Sequence, residues 1–286
     1  MLDLIQSSFI WSVGFAAIIG LLFGSFANVV IARFPVILQR QWQTDCAESL
    51  GQTPPTFERF NLAVPGSQCP SCKTSLHWYE NIPVLSFLIQ QAKCRHCRVA
   101  ISFRYPLVEV LTALLTAVTI AIFGFTPLGW SYALFIYALL ILTFIDKDHM
   151  LLPDQLTLPL IWLGLLASLQ LTPLSPADSI IGAVTGYLAL WSVFWLFKLI
   201  TGKEGMGYGD FKLLAALGAW LGWQMLPMII LLSSVIGALF GILMLLLRRH
   251  QQGNPMPFGP FLALAGIVAL FFGETLYNTY WQWVGV

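Results

Sequence analysis

The sequence predicts an all-α polytopic membrane protein, and both its composition and its long apolar runs favour this class. Of its 286 residues, 58% are hydrophobic and 9% are charged, and the mean hydropathy is +0.79. Soluble domains carry about 25% charged residues. A soluble chain of this size cannot bury so much apolar surface in its core. The composition therefore argues against a soluble enzyme, a disordered chain or a nucleic-acid-binding protein.

Eight continuous apolar runs predict about eight transmembrane helices, because a helix needs about 20 apolar residues to cross the hydrocarbon core. The runs show no period-2 alternation, and helices satisfy their own backbone groups in lipid. The third, fourth and sixth runs are short. The predicted spans are Phe9–Ile31, Tyr105–Phe123, Trp130–Ile145, Leu156–Leu171, Ile180–Ile200, Asp210–Trp223, Met225–Leu247 and Gly259–Tyr280.

A polar stretch after the first span divides the chain into three predicted parts. These are a first transmembrane segment at 1–33, a cytoplasmic metal-binding domain at 34–104 and a seven-helix membrane domain at 105–286. Seven of the 14 Lys and Arg residues and all five cysteines lie in residues 34–104. Placing this domain in the cytoplasm puts every basic residue on the cytoplasmic side, in agreement with the positive-inside rule. Both termini then lie outside.

Two Cys-x2-Cys pairs within residues 34–104 predict a metal site. Cys69 and Cys72 form the first pair, and Cys94 and Cys97 form the second after a spacer of 21 residues. Four thiolates suit the tetrahedral coordination of a structural Zn2+ ion, and a reducing cytoplasm argues against disulfides. We expect one structural zinc ion per chain. The alternative is four free thiols or a redox pair.

Carboxylates near the predicted membrane boundaries are the second chemical signal. Asp146, Asp148 and Asp154 follow the third span, and Asp210 opens the sixth span. Ionisable groups at this depth are costly and indicate a functional site. The two groups of acids lie in separate cytoplasmic loops, so one bundle can bring them together.

Two facing carboxylates can share a proton and perform aspartyl proteolysis. The ionised member takes a proton from the attacking water, and the protonated member polarises the peptide carbonyl. The sequence before Asp210 suits this chemistry. Gly207 and Gly209 would permit positive φ and a close approach of an extended substrate.

Other interpretations of these acids stay open at this point. Asp154 and Asp210 could each be the N-cap of the helix that follows, and Asp148 could pair with Lys147 in a solvated loop. A proton-coupled transporter could use the same carboxylates as a relay. A zinc-dependent assembly protein would need no catalytic group. Glu109, inside the second span, is a further acid that could serve only helix packing.

Several longer motifs accompany the cysteine pairs and the Gly207–Asp210 sequence. They are Phe23–Val30, Trp78–Ser86, Arg104–Glu109, Leu152–Asp154 and Pro257–Phe261. With these motifs, nearly the whole chain resembles the bacterial type IV prepilin peptidases, which are membrane aspartyl proteases with a Gly-x-Gly-Asp motif. Departures are minor and include Ala27 and Ala32.

The resemblance implies a catalytic pair and a substrate class. Asp146 and Asp210 match the two catalytic aspartates, with Asp148 as the nearest rival to the first, and Gly207 and Gly209 form the substrate loop. The implied substrates are precursors of type IV pilins and of type II secretion pseudopilins. Their short basic leader is cut after Gly, before an apolar helix.

The resemblance also implies a second activity and a location. Family members often methylate the new N-terminal residue with S-adenosylmethionine, and the long cytoplasmic domain is typical of these bifunctional members. Glu109 is one candidate for that activity. The implied location is the bacterial inner membrane, with membrane lipid as a partner, no nucleic acid, and the active site on the cytoplasmic side.

Overall fold

A computed structural model describes residues 8–247 and 256–284, and in these residues the fold is all-α, as predicted. Two 3-10 segments, Trp78–Asn81 and Trp223–Met225, accompany the helices. Among the described residues there is no β-strand, only two isolated β-bridges. The helices are α1 Phe9–Ser49, α2 Leu85–Ile89, α3 Arg104–Phe123, α4 Pro127–His149, α5 Asp154–Gln170, α6 Pro176–Thr201, α7 Tyr208–Leu221, α8 Leu226–Leu246 and α9 Gly259–Val284.

Within the described ranges, six helices are long and apolar enough to cross a membrane, which is fewer than the eight predicted. The fourth and sixth predicted spans do form helices, but α5 has 17 residues and α7 has 14. At 1.5 Å per residue, α7 is about 21 Å long, whereas a hydrocarbon core is about 30 Å thick. α7 is short because Gly222, with φ of 85°, ends it. The third predicted span is not short, because α4 continues to His149 and has 23 residues.

The first helix is longer than its predicted span. α1 does not end near Ile31 but runs through Pro35 to Ser49. The segment that follows is attached to this extension by Arg33 and Arg40. Arg33 donates hydrogen bonds to the carbonyl oxygens of Asn61, Leu62, Pro65 and Gly66. Arg40 places its guanidinium over the rings of Phe57 and Phe60. The domain limits remain predictions, and the two termini lie outside the described residues.

The chain divides into two compact units, Met1–Tyr137 and Ala138–Val286. In the first unit, α1 and α3 approach so closely that a Cβ at Gly24 would lie 2.6 Å from the Cα of Glu109. Glycines spaced four apart, here Gly20 and Gly24, commonly permit such contacts between membrane helices. The Glu109 carboxylate is buried and accepts a hydrogen bond of 2.8 Å from the backbone N–H of Val84. Glu109 therefore ties the segment before α2 to α3.

The second unit is built around α7. A helix that is apolar on all sides is a buried helix, and the residues from Phe211 to Trp220 are all buried except Lys212. On the α6 side, a Cβ at Gly182 would clash with the backbone of Gly218. On the α5 side, Trp220 Nε1 donates a hydrogen bond of 2.9 Å to the carbonyl oxygen of Leu160. These contacts fix α7 and hence the position of Asp210 in its first turn.

Candidate active site and metal centre

Asp146 and Asp210 face one cavity of about 480 Å³ in the second unit. Asp146 lies in the last turn of α4 and Asp210 in the first turn of α7. The side chains are 5% and 8% exposed, and their carboxylates are close enough to interact electrostatically. The structure thus brings together the two aspartates that the sequence analysis paired. The cavity is also lined by Met150, Leu152, Glu204, Gly205, Met206, Gly207, Gly209, Met256, Pro257 and Phe258.

The two carboxylates differ in their hydrogen bonds. Asp146 Oδ2 accepts a hydrogen bond of 3.0 Å from the backbone N–H of Gly259, the first residue of α9. The first N–H groups of a helix have no partner within it and stabilise negative charge. Asp210 Oδ1 is buried and accepts no hydrogen bond from residues 8–247 or 256–284. This buried oxygen is therefore left without a hydrogen bond from the described chain, although Asp210 lines the cavity.

Leu152 packs between two glycines beside the carboxylates. A Cβ on Gly209 would lie 2.6 Å from Leu152 Cβ, and a Cβ on Gly259 would lie 3.2 Å from Leu152 Cδ2. The same Cβ on Gly259 would lie 2.6 Å from Asp146 Oδ2. Leu152 is buried. Glycine at both positions thus lets α7 and α9 begin close to Leu152 and the carboxylate of Asp146.

The predicted use of positive φ at the two loop glycines is wrong. Gly207 has φ of −83° and Gly209 lies within α7, and neither is among the described glycines with positive φ. Gly209 is needed for space, because Leu152 occupies the place of a side chain. Gly207 is exposed, and a Cβ there would lie 3.8 Å from Asp210 Oδ2. A larger side chain at Gly207 would therefore extend toward the cavity lined by Asp146 and Asp210, which is the candidate catalytic cavity.

The rival acids lie outside the cavity. Asp148 is exposed, and the Asp154 carboxylate forms an ion pair with Lys212 of α7. The two N-cap interpretations are wrong, because Pro153 caps α5 and Gly207 caps α7.

An aromatic cluster anchors the start of α7. The ring of Tyr208, between the two loop glycines, lies 5.3 Å from Phe194 of α6 and 5.3 Å from Phe211. Such contacts between rings add to the apolar stabilisation of the pair. The Tyr208 side chain therefore fixes the helix start two residues before Asp210.

The four predicted metal ligands come together in the first unit. Their Sγ atoms all lie within 4.8 Å of one another, and those of Cys69 and Cys97 are 3.7 Å apart. In a tetrahedron with metal–sulfur distances of about 2.3 Å, the sulfurs are roughly 3.8 Å apart. The cluster therefore fits a tetrahedral four-thiolate metal site.

The two cysteine pairs have matching backbone conformations. The N–H of Lys73 donates to the Cys69 carbonyl and that of Arg98 donates to the Cys94 carbonyl, each at 3.0 Å. Lys73 and Arg98 both have φ of 58°. The pairs thus form two equivalent knuckles, each a tight turn that presents two thiols.

The surroundings of the four thiols shift their pKa values in different directions. The side chain and backbone of Thr74 contact Cys72 and lower the pKa of this thiol to about 6. Backbone groups of Cys97 and His96 lower the pKa of Cys94, whereas burial and the neighbouring thiols raise the pKa of Cys97 to about 11. Because the thiolate is the form that binds a metal, Cys72 is prepared for coordination at neutral pH.

Sequence reasoning missed two residues that contact the candidate catalytic aspartates or their surroundings, Gly259 and Leu152. The signal for Gly259 was its place before Pro260, since proline is common at the first position of a helix. Its contact with Asp146 spans 113 positions in the sequence. No local pattern predicts such a contact.

Both halves of the chain match models of known protein families. The family model described as bacterial peptidase A24 N-terminal domain matches residues 18–123, and that of the type IV leader peptidase family matches residues 133–242. A prepilin leader peptidase/N-methyltransferase of Pseudomonas aeruginosa is 52% identical over 94% of this chain and 93% of its own. Proteins with the same description from Aeromonas salmonicida and Burkholderia pseudomallei are 54% and 47% identical. They cover 91% and 92% of this chain and 90% and 86% of their own.

The chain belongs to the type IV leader peptidase family. The resemblance noted in the sequence is thereby confirmed. Within this leader peptidase chain, both aspartates and both loop glycines fall in the match at 133–242, and the four cysteines fall in the match at 18–123. Gly259 lies beyond both matches. No solved structure gives a significant match.

Proposed function

We propose that this chain is a membrane aspartyl endopeptidase that removes the leader of prepilins. The observation that supports it most directly is the placement of Asp146 and Asp210, which face one cavity from two different helices. Membership of the leader peptidase family and relatives described as prepilin leader peptidases support the substrate.

The mechanism follows from two carboxyl groups that share one proton. The ionised carboxylate accepts a proton from a water molecule as that water attacks the scissile carbonyl carbon. The protonated carboxyl group donates a hydrogen bond to the carbonyl oxygen, which becomes a hydroxyl of the tetrahedral intermediate. Collapse of the intermediate breaks the C–N bond: one hydroxyl returns its proton to the ionised carboxylate, and the leaving amine takes a proton from the protonated carboxyl group.

We propose that the substrates are type IV prepilins and type II secretion pseudopilins, cut after the Gly that ends a basic leader. The new N-terminal residue would then be methylated from S-adenosylmethionine, in keeping with the N-methyltransferase description of the relatives. The residues of the methyl-transfer site are not assigned.

We propose zinc as the metal of the cysteine cluster, with Cys69, Cys72, Cys94 and Cys97 as its ligands. The fit of the four Sγ atoms to a tetrahedron supports this assignment. Four protein ligands leave no open position, so the ion would cross-link the two knuckles and take no part in proteolysis.

We propose that the protein lies in the bacterial inner membrane, with residues 34–104 and the catalytic cavity on the cytoplasmic side. Six long apolar helices in the described residues support a multi-pass protein. The distribution of Lys and Arg supports the orientation.

One experiment tests both activities. Purified protein in detergent or lipid is incubated with a prepilin and S-adenosylmethionine, and the products are weighed by mass spectrometry. We expect a product that begins after the leader Gly and carries one added methyl group. A cleaved but unmethylated product would support the peptidase alone. An intact substrate would contradict the peptidase assignment.

A further inference from the structure

A second cavity, of about 320 Å³, lies between α8 and the start of α9. We call it the α8/α9 groove. Met256, Pro257 and Phe258 line both this groove and the catalytic cavity. The two spaces therefore adjoin. The groove is lined by Ser234, Gly237 and Ala238 on α8 and by Met256, Pro257, Phe258 and Phe261 on the other side.

The α8 side of the groove is formed by residues with small side chains. Ser234, Gly237, Ala238 and Gly241 follow the spacing i, i+3, i+4, i+7, which places them on one helix face. Gly237 is in contact with Phe261, since a Cβ there would lie 3.3 Å from Phe261 Cδ2. Ala238 is exposed, and the nearest atom to a Cβ on Gly241 would be Met256 Cε at 3.8 Å. Small residues on a membrane helix let a second helix come close, and at Ala238 this face is left uncovered.

The groove also presents an unsatisfied polar group. Ser234 is exposed, and its hydroxyl forms no hydrogen bond with any described residue. Its neighbour Ser233 is buried and donates a hydrogen bond of 3.0 Å to the carbonyl oxygen of Ile230. A serine hydroxyl that faces lipid can bond only to a carbonyl in the preceding turn of its own helix, as Ser233 does, unless a second helix supplies an acceptor. The backbone or a side chain of another helix can accept its hydrogen bond, whereas an acyl chain cannot.

The adjoining catalytic cavity contains a second unsatisfied group. Asp210 is 8% exposed, lines that cavity, and leaves Oδ1 without a partner among the described residues. A chain whose scissile bond lies beside Asp210 can continue past Met256–Phe258 into the groove, because these residues line both spaces. Beside α8 such a chain would lie in lipid, where an apolar helix satisfies its own backbone groups.

We propose that the α8/α9 groove binds the apolar helix of the membrane substrate, on the side of the scissile bond that follows the leader. The proposal rests on the proposed peptidase function and adds the substrate-binding surface. The scissile bond lies in the catalytic cavity, and the first two helical turns after it lie against Ser234–Gly241. From Ser234 to Gly241 the groove wall extends about 10 Å along α8.

Photo-crosslinking tests the occupant directly. The full-length Asp210→Asn variant, reconstituted in phospholipid vesicles, carries benzoylphenylalanine at Ala238 or at Leu239. Leu239 is its neighbour in the same turn, is also exposed, and does not line the groove. We expect an adduct with a full-length prepilin, mapped to its apolar helix, from position 238 and little from position 239. Adducts of equal strength at both positions, or an adduct at 238 only with lipid or with a second copy of this chain, would overturn the proposal.

Cleavage kinetics separate docking from catalysis. Ala238→Trp fills the groove, and Leu239→Trp adds the same ring on the lipid side. For Ala238→Trp we expect KM for the full-length prepilin to rise roughly tenfold, the factor that a lost contact between membrane helices commonly makes. Cleavage of a short peptide that spans the leader junction but lacks the helix should be unchanged, and Leu239→Trp should resemble the unmodified protein with both substrates.

If Ala238→Trp lowered cleavage of both substrates equally, or of neither, the groove would be overturned as the docking site. Failure of the unmodified protein to cleave either substrate would instead contradict the peptidase function. The crosslinking result would still decide the groove in that case, because it needs no cleavage.

Discussion

A single backbone N–H, that of Gly259, hydrogen-bonds the carboxylate of Asp146. The two aspartates are therefore held differently. The Asp146 carboxylate is hydrogen-bonded to the start of α9, whereas Asp210 is positioned by the packing of α7, the helix that carries it. The proposed chemistry needs both carboxyl groups, since one activates water and the other polarises the carbonyl.

Replacing either aspartate should abolish cleavage. Asp146→Asn and Asp210→Asn keep the size of the side chain but cannot share a proton, so we expect each to lower kcat/KM by about 10³-fold or more. Prepilin cleavage is measured with metal content and thermal unfolding as controls for folding. Asp148→Asn and Asp154→Asn are the matched controls and should retain most activity. Normal cleavage by either Asp146→Asn or Asp210→Asn would remove that residue from the mechanism.

The two loop glycines should respond differently to alanine. Gly209→Ala places a methyl group against Leu152, and we expect a loss of about 1–3 kcal/mol in the free energy of unfolding, as for other overpacked sites. Gly207→Ala should be stable, whereas Gly207→Val should lower cleavage without unfolding because its side chain extends toward Asp210. The measurements are thermal unfolding and prepilin cleavage. Leu152→Gly removes the Cβ that lies nearest to the new methyl group. Its combination with Gly209→Ala should therefore destabilise the protein by less than the sum of the two single changes, and additive losses would contradict the role assigned to Leu152.

At the level of secondary-structure elements, the sequence predicts local features well and their lengths less well. Apolar runs indicate where the helices lie, and cysteine spacing predicts the two knuckles. The extension of α1 to Ser49 depends on contacts of Arg33 and Arg40 with a segment more than 15 positions away. The shortness of α7 depends on helix ends set by Gly207 and Gly222. The contacts of Gly259 with Asp146 and of Leu152 with Gly209 escape prediction, because contacts between residues distant in sequence leave no periodic pattern.

The knuckle pair should bind one Zn2+ ion per chain, by the four-thiolate stoichiometry. Cys69→Ser, Cys72→Ser, Cys94→Ser or Cys97→Ser should release the ion and destabilise residues 34–104, since metal binding and folding are coupled. Cys46→Ser, at an exposed cysteine outside the cluster, is the control. Metal analysis of the purified variants provides the measurement. Active protein without zinc would contradict the assignment.

Zinc binding by the cluster should weaken in acid. The Cys72 pKa is lowered to about 6 by Thr74. Its thiolate is therefore populated above that pH and takes up a proton as the pH falls through it. Because the pKa of Cys97 is raised to about 11, protons already compete with zinc at neutral pH, and we expect the decline in zinc affinity to steepen below about pH 6. Thr74→Val should move this steep part to higher pH. A competition titration with a chromogenic chelator measures it. An identical pH profile for Thr74→Val would show that Thr74 does not control the thiol.

On the scale of the whole molecule, two kinds of evidence divide the chain at nearly the same place. The family models match residues 18–123 and 133–242, and the compact units meet between Tyr137 and Ala138. The cysteine cluster belongs to the first unit, and the cavity lined by Asp146 and Asp210 belongs to the second. The residues of each site therefore lie within a single unit.

The distribution of basic residues predicts the orientation of the chain in the membrane. Cys46 is exposed and lies in the predicted cytoplasmic domain, so a membrane-impermeant maleimide should label it in inside-out vesicles and not in intact spheroplasts. The Cys46→Ser variant measures the background labelling of the four thiols in the cysteine cluster. Labelling of Cys46 in intact spheroplasts would reverse the predicted topology.

The two equivalent knuckles suggest how a four-thiolate site can arise by duplication. One knuckle supplies two thiolates, which is half of a tetrahedral site, so isolated knuckles would have to dimerise to bind one ion. Their affinity would then depend on their concentration. Joining two knuckles through the 21 residues between Cys72 and Cys94 makes the second pair a tethered ligand, present at an effective concentration set by the tether. An ancestral single knuckle, duplicated within one gene, would thereby gain a metal site that no longer depends on protein abundance.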